Sequence, residues 1–226
     1  MTFINPDNYS FDEQDELVQE LANQSEEQNK AKESLVRASV DSLVPKRFHG
    51  SRIGALKTPI DDKVLKFCKN DNGQVFLLSG DVGTGKTTLG FGTMYERAFD
   101  GKNAGIYLSA RLLCPLLRSK QSFSSPESEY DFIMRCGTAP YFFYDEAGKA
   151  DDREIEWSFL SKVLAIRYDN ELSSFITTNM DLKAFADFIK HFGKGEDIYT
   201  RIKSNLITAC LTGFCYRKEN VNAGLN

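Results

Sequence analysis

The stretch 75–88, VFLLSGDVGTGKTT, constrains this chain more than any other. Four apolar, strand-favouring residues (Val75, Phe76, Leu77, Leu78) run into Ser79, followed by Gly80, four residues, Gly85, Lys86 and Thr87. The pattern G-x-x-x-x-G-K-[ST] is a phosphate-binding loop when a strand precedes it and a helix follows, and both are predicted here. Glycines let the backbone curl until its N–H groups point inward at a phosphate chain. The candidate nucleotide-binding residues are therefore Gly80, Asp81, Val82, Gly83, Thr84, Gly85, Lys86, Thr87 and Thr88. Lys86 supplies a point charge for the β and γ phosphates. Thr87 offers a hydroxyl to Mg²⁺, and the helix it opens presents its positive end to the anion. A nucleoside triphosphate and Mg²⁺ are the expected ligands.

Around that loop the chain alternates. Strands are predicted over 75–79, 104–108, 141–144, 174–178 and 206–212. Helices are predicted over 61–70, from the loop to 99, from a Ser109 cap through Leu117 with a bend at Pro115, from Pro126 through Met134, and over 153–168, 181–191 and 197–205. Such alternation means an α/β fold, a five-stranded parallel sheet with helices on both faces. Ligands of such sheets sit at the carboxyl ends of the strands. There the sequence places the loop, Asp145-Glu146 and Asn179. Opposite a phosphate loop, Asp145 is expected to hold Mg²⁺ and Glu146 to polarise an attacking water as general base. Asn179 is placed to orient that water or to sense the γ-phosphate.

The chain has 226 residues, which suits one α/β domain with a short appendage. No apolar run approaches the roughly 20 residues of a membrane helix. The acidic start MTFINPDNYSFDEQDE lacks the basic and apolar regions of a signal peptide. No membrane association and a cytoplasmic location are expected. Five scattered cysteines without CxxC pairs, and two distant histidines, point to reduced thiols rather than a zinc site. Charge is uneven. Residues 1–44 hold ten acids and three bases, a net of −7, which leaves +3 for the remainder of a chain whose total is −4. The expected organisation is an acidic arm over 1–44, with a helix at 12–22, and a mildly basic nucleotide-binding domain over 45–226. Two different partners would suit two such parts.

The order GDVGTGKT, YDEAG, ITTN and TRIKSNL over five strands resembles the AAA+ ATPases. More narrowly it resembles the DnaC/DnaI helicase loaders and the related IstB transposition helper ATPases. VPKRF at 44–48 is similar to the segment leading into the family's core, and IYLSARLL at 106–113 to its second strand and helix. IRYDNELSSFITTN at 166–179 and TRIKSNLITACLTGFCYR at 200–217 are the more specific likenesses. The likeness covers about 44–217.

The resemblance implies an ATPase that uses ATP and Mg²⁺, lacks a C-terminal helical lid, and loads a hexameric replicative helicase onto single-stranded DNA. It implies a phage or other mobile-element setting. It also implies self-association through the ATP sites, with Arg201 as an arginine finger reaching the neighbouring subunit's nucleotide. The arm, residues 1–44, would dock the helicase. Thr177-Thr178 and the basic loop 45–57 are the candidates to face single-stranded DNA. Three rival readings stand beside this one. They are an IstB-like regulator of a transposase on double-stranded DNA, a superfamily 3 type helicase core, and a nucleotide-dependent interaction switch with little turnover.

Overall fold

The structure is a computed structural model that describes residues 28–56, 65–67, 73–122, 125–192, 200 and 202–211, with backbone alone at 190–192. Two compact units divide the chain, Met1–Ser39 and Val40–Asn226. In the first, residues 28–39 are helical, and Arg37 donates to Glu33 one turn back at 3.0 Å. The helix expected over 12–22 lies outside the described residues. The second unit begins ahead of Pro45, because Val40 and Val44 are buried in its core.

That unit contains β1 (Val75–Gly80), α1 (Lys86–Phe99), β2 (Ile106–Ser109), α2 (Ala110–Lys120), α3 (Glu129–Thr138) and β3 (Tyr141–Ala147). There follow α4 (Arg153–Asp169), β4 (Ser173–Thr178), α5 (Leu182–Phe192) and β5 (Leu206–Leu211). Two single 3₁₀ turns, Lys46–Phe48 and Ile53–Ala55, precede them. The five strands form one parallel sheet in the order β2-β3-β4-β1-β5.

Successive strand residues point to opposite faces, and in a parallel sheet covered by helices both sets are apolar. Val75 and Leu77 join Phe142, Tyr144 and Ile176 on one face, which α2, α3, α4 and α5 cover with Leu113, Phe132, Trp157, Leu160 and Phe188. Phe76 and Leu78 join Phe143 and Phe175 on the other, covered by α1 with Leu89, Phe91 and Met94 and by Val40, Val44 and Ile53. Each such side chain contributes about 1.5–3 kcal/mol on full burial. At Gly90, α1 lies so close to β3 that a Cβ would overlap the Phe143 ring. Phe91 beside it meets the same ring edge-on, centroids 5.1 Å apart.

Local chemistry shifts some of the expected boundaries. Ser109 stands at the N-cap position of α2 as expected, but its side chain makes no capping hydrogen bond. The helix continues past Pro115 to Lys120. Pro126 does not open α3. The Ser128 hydroxyl accepts from the Asp131 N–H at 3.1 Å and the Asp131 carboxylate reaches back to the Ser128 N–H, a capping box that fixes the start at Glu129. Asp181 caps α5 as expected, accepting from the Ala184 N–H at 2.7 Å. Of the helices expected over 61–70 and 197–205, residues 65–67, 200 and 202–204 are helical, and most of the remainder lies outside the described residues.

Arg167 on α4 is 1% exposed. Its guanidinium donates to the carbonyls of Cys136 (3.0 Å) and Ala139 (2.6 Å), to Ser174 Oγ (2.8 Å) and to the Ser173 carbonyl. It thereby ties α4 to the end of α3 and to the start of β4, fixing where β3 and β4 enter the sheet.

Candidate functional site

The loop between β1 and α1 is built on backbone that side chains oppose. Gly80 has φ +137°, and a Cβ there would overlap the Leu211 carbonyl oxygen of β5. Gly85, the residue before α1, sits in the left-handed region at φ 96°. Thr84, buried, donates to the Asp81 carbonyl at 2.9 Å. Lys86 folds back over the loop, with Nζ donating to the carbonyls of Gly80 (2.6 Å) and Asp81 (2.7 Å). Burial lowers its pKa, opposed by the negative charges of Asp145 and Asp81.

The acidic pair occupies a break in the ladder. Tyr144 pairs with Ile176 and Ala147 with Thr178, so Asp145 and Glu146 together face Thr177 across β3 and β4. Two residues opposing one is a β-bulge, a device that re-aims side chains. A regular strand would send Asp145 and Glu146 to opposite faces. Here Glu146 adopts φ 62°, and both residues line one cavity. Thr177 bridges the pair: its hydroxyl donates to Asp145 Oδ1 and accepts from the Glu146 N–H at 2.9 Å. Thr87 Oγ1 donates to the same Asp145 oxygen at 3.1 Å. Burial pushes the Asp145 pKa up, and the hydrogen bonds from Thr177 and Thr87 partly offset that rise. Glu146 Oε2 accepts from Arg111 Nε at 2.6 Å, at the solvent edge.

The cavity, about 590 Å³ with its open mouth, is lined by Val82, Gly83, Gly85, Lys86, Thr87, Thr88, Asp145, Glu146 and Asn179. These come from three separate stretches of sequence, and the strand order brings the carboxyl ends of β1, β3 and β4 together. Gly80, Asp81 and Thr84 do not line this cavity; their carbonyls and hydroxyl hold the loop from within. Arg201 lies outside the described residues.

Four residues were not legible as contributors to this cavity. Thr177 lines the cavity, and with Thr178 it is at most 1% exposed, so this pair does not face single-stranded DNA. Its signal is its register opposite the acidic pair. Arg47 and Phe48, from the 45–57 loop, also line this cavity. Phe48 rests on Phe91 of α1 with centroids 4.8 Å apart, and the Arg47 guanidinium lies 4.7 Å from the Phe48 ring centroid. Arg111 reaches Glu146 because β2 pairs with β3, which sets the first turn of α2 beside the end of β3.

A β1 loop of this form and an acidic pair at the end of the adjacent-but-one strand, in a 2-3-4-1-5 parallel sheet, define the P-loop AAA+ fold. The particular likenesses are to replication proteins. A DnaC helicase loader superposes with TM-score 0.57 at 19% identity, over 74% of this chain and 100% of that one. A DnaI structure does so with TM-score 0.60 at 18% identity, over 75% and 95%. The replication initiator DnaA bound to AMPPCP and single-stranded DNA gives 0.52 at 15%, over 82% of this chain and 53% of that one. At these identities the likeness establishes the fold. No protein-family model matches the sequence, and no curated protein matches it. No helix among the described residues is long and apolar enough to cross a membrane.

Proposed function

We propose that this chain is an ATPase that loads a hexameric replicative helicase onto single-stranded DNA. The observation that carries the reading is the convergence of Lys86, Thr87, Asp145, Glu146 and Asn179 on one cavity, in a fold shared with DnaC and DnaI. The loop and Lys86 would bind the ATP phosphates, exchanging the lysine's present carbonyl contacts for phosphate oxygens. The Asp145 carboxylate and Thr87 hydroxyl, 3.1 Å apart in a buried, oxygen-lined corner, fit the hard-oxygen preference of Mg²⁺. Bound there, the ion would neutralise phosphate charge. Glu146 would polarise the attacking water, and Asn179 would hold that water or the γ-phosphate. Arg201 from a second copy would complete the site in an assembled form, and residues 1–44 would hold the helicase.

The experiment uses the full chain with AMPPCP, a non-hydrolysable ATP analogue. Retention of the replicative helicase from the same source, together with binding of single-stranded DNA, supports loading when both are lost in Lys86→Ala. Binding of duplex alone, with no helicase retained, would overturn it in favour of a transposition helper.

A further inference from the structure

Glu156 is an acid on α4 that the proposed reaction does not use, yet it is 0% exposed. Its carboxylate is engaged with the strand that carries Glu146 and with the turn that follows it. Oε1 accepts from the Tyr144 hydroxyl at 3.0 Å and from the Gly148 N–H at 2.8 Å. Oε2 accepts from the Ala150 N–H at 3.3 Å. Tyr144 is the last residue before the bulge, and Gly148 and Ala150 follow it. One carboxylate therefore holds both sides of the two-residue bulge. From the opposite side, the Thr177 hydroxyl holds the Glu146 N–H.

A buried carboxylate has a reason to stay only if its lone pairs are filled, and desolvation pushes the pKa of Glu156 upward. Of the two amides it captures, that of Gly148 is buried and would otherwise be left unpaired in the interior. Glu146 stands in a left-handed conformation at φ 62°, which a non-glycine residue keeps only when its surroundings over-determine it. Gly148 within the same turn packs against Met180, the neighbour of Asn179, so the turn also adjoins the second polar group of the cavity.

We infer that Glu156 is a positioning residue for Glu146: by clamping Tyr144, Gly148 and Ala150 it fixes the bulge in the conformation that aims the Glu146 carboxylate into the phosphate cavity. The inference rests on the proposed ATPase reading. It assigns Glu156 no contact with nucleotide. Loss of the clamp should lower the rate of hydrolysis and leave nucleotide affinity alone, because the loop and Lys86 belong to β1 and α1. Displacement of a general base by about 1 Å costs up to ~100-fold.

The test compares wild type, Glu156→Ala, Glu156→Gln and Glu146→Gln in the full chain. Each is measured for single-turnover ATP hydrolysis and for AMPPCP affinity. Glu156→Ala should lower hydrolysis ~100-fold with AMPPCP affinity within about twofold of wild type. Glu156→Gln keeps the shape and one acceptor oxygen but turns an NH₂ toward the Ala150 N–H, so it should recover part of the rate and sit ~10-fold below wild type. Equal rates in wild type and Glu156→Gln would overturn the inference, as would AMPPCP affinity falling in step with the rate. If the alanine variant does not fold, the glutamine variant decides alone on the same two readings. Glu146→Gln separates this from the larger reading. If it hydrolyses ATP like wild type, the general-base assignment fails, and this inference with it. If it is dead while Glu156→Gln is fully active, only this inference fails.

Discussion

Thr177→Val tests how the acidic pair is held. Valine has nearly the shape of threonine, and residue 177 is 1% exposed, so packing is conserved and only the hydroxyl is lost. Two hydrogen bonds go with it. One is a charge-assisted bond to Asp145, worth roughly 1.5–3 kcal/mol. The other leaves the Glu146 N–H without its acceptor, roughly 1–3 kcal/mol if no water replaces it. The Glu146 side chain is 27% exposed, so water from the cavity can reach that amide and the second loss is partial. The net expectation is about 2–3 kcal/mol of stability. With a urea slope of about 2–3 kcal/mol per molar, the unfolding midpoint should fall by about 1 M. Hydrolysis should fall ~10-fold or more, because the bulge loses the contact that joins Asp145 to Glu146. Urea unfolding followed by Trp157 fluorescence and a phosphate-release assay read both quantities. A variant with a wild-type midpoint and a wild-type rate would refute the view that Thr177 holds the pair.

Three further outcomes follow from the same geometry. Arg167→Met strips a donor from three carbonyls and Ser174 Oγ; even after relief of the buried charge, about 3–4 kcal/mol of stability should be lost, read as a lower urea midpoint. Glu127, held by Arg135 (2.7 Å) and Lys120 (2.7 Å), has its pKa lowered to about 2 from 4.5, the Arg135 hydrogen bond being the largest cause. Its folded pKa is depressed, so its contribution is present above the unfolded value and lost as pH falls from about 4.5 to about 2. The melting-temperature gap between wild type and Glu127→Gln should therefore be present at neutral pH and close across that window. Gly80→Ala forces a side chain into φ +137° and onto the Leu211 carbonyl, costing about 1–3 kcal/mol for the backbone alone and weakening AMPPCP binding; isothermal calorimetry measures the second effect.

Much of this was legible because it is local. The strand of Val75–Leu78, the phosphate loop and the hydrophobic run ending in Asp145-Glu146 each carry their signal within a few residues, and each stands where the pattern puts it. Parallel strands with helices between them also follow from alternation alone. What the sequence hides is register. Thr177 looks like one more strand threonine until the ladder sets it opposite two residues of β3. Arg111 is separated from Glu146 by 35 positions, and only the β2–β3 pairing brings them together. Arg47 and Phe48 read as a basic loop because nothing local says that Phe48 will seat on Phe91 and turn both toward the cavity. The Pro126 boundary failed for a different reason: the side-chain bonds between Ser128 and Asp131 decided where that helix starts.

The bare Cα of Gly90 against the Phe143 ring acts as a gauge block. It helps set how far α1, whose first turn carries Thr87, stands from β3, which carries Asp145 near its end, and the two side chains meet across that spacing at 3.1 Å. The helix backbone and the ring are already in contact there, which leaves the span little room to shorten. A difference between triphosphate-bound and diphosphate-bound states is therefore expected first at the rim, where Arg111 holds Glu146 and Arg47 lies over Phe48.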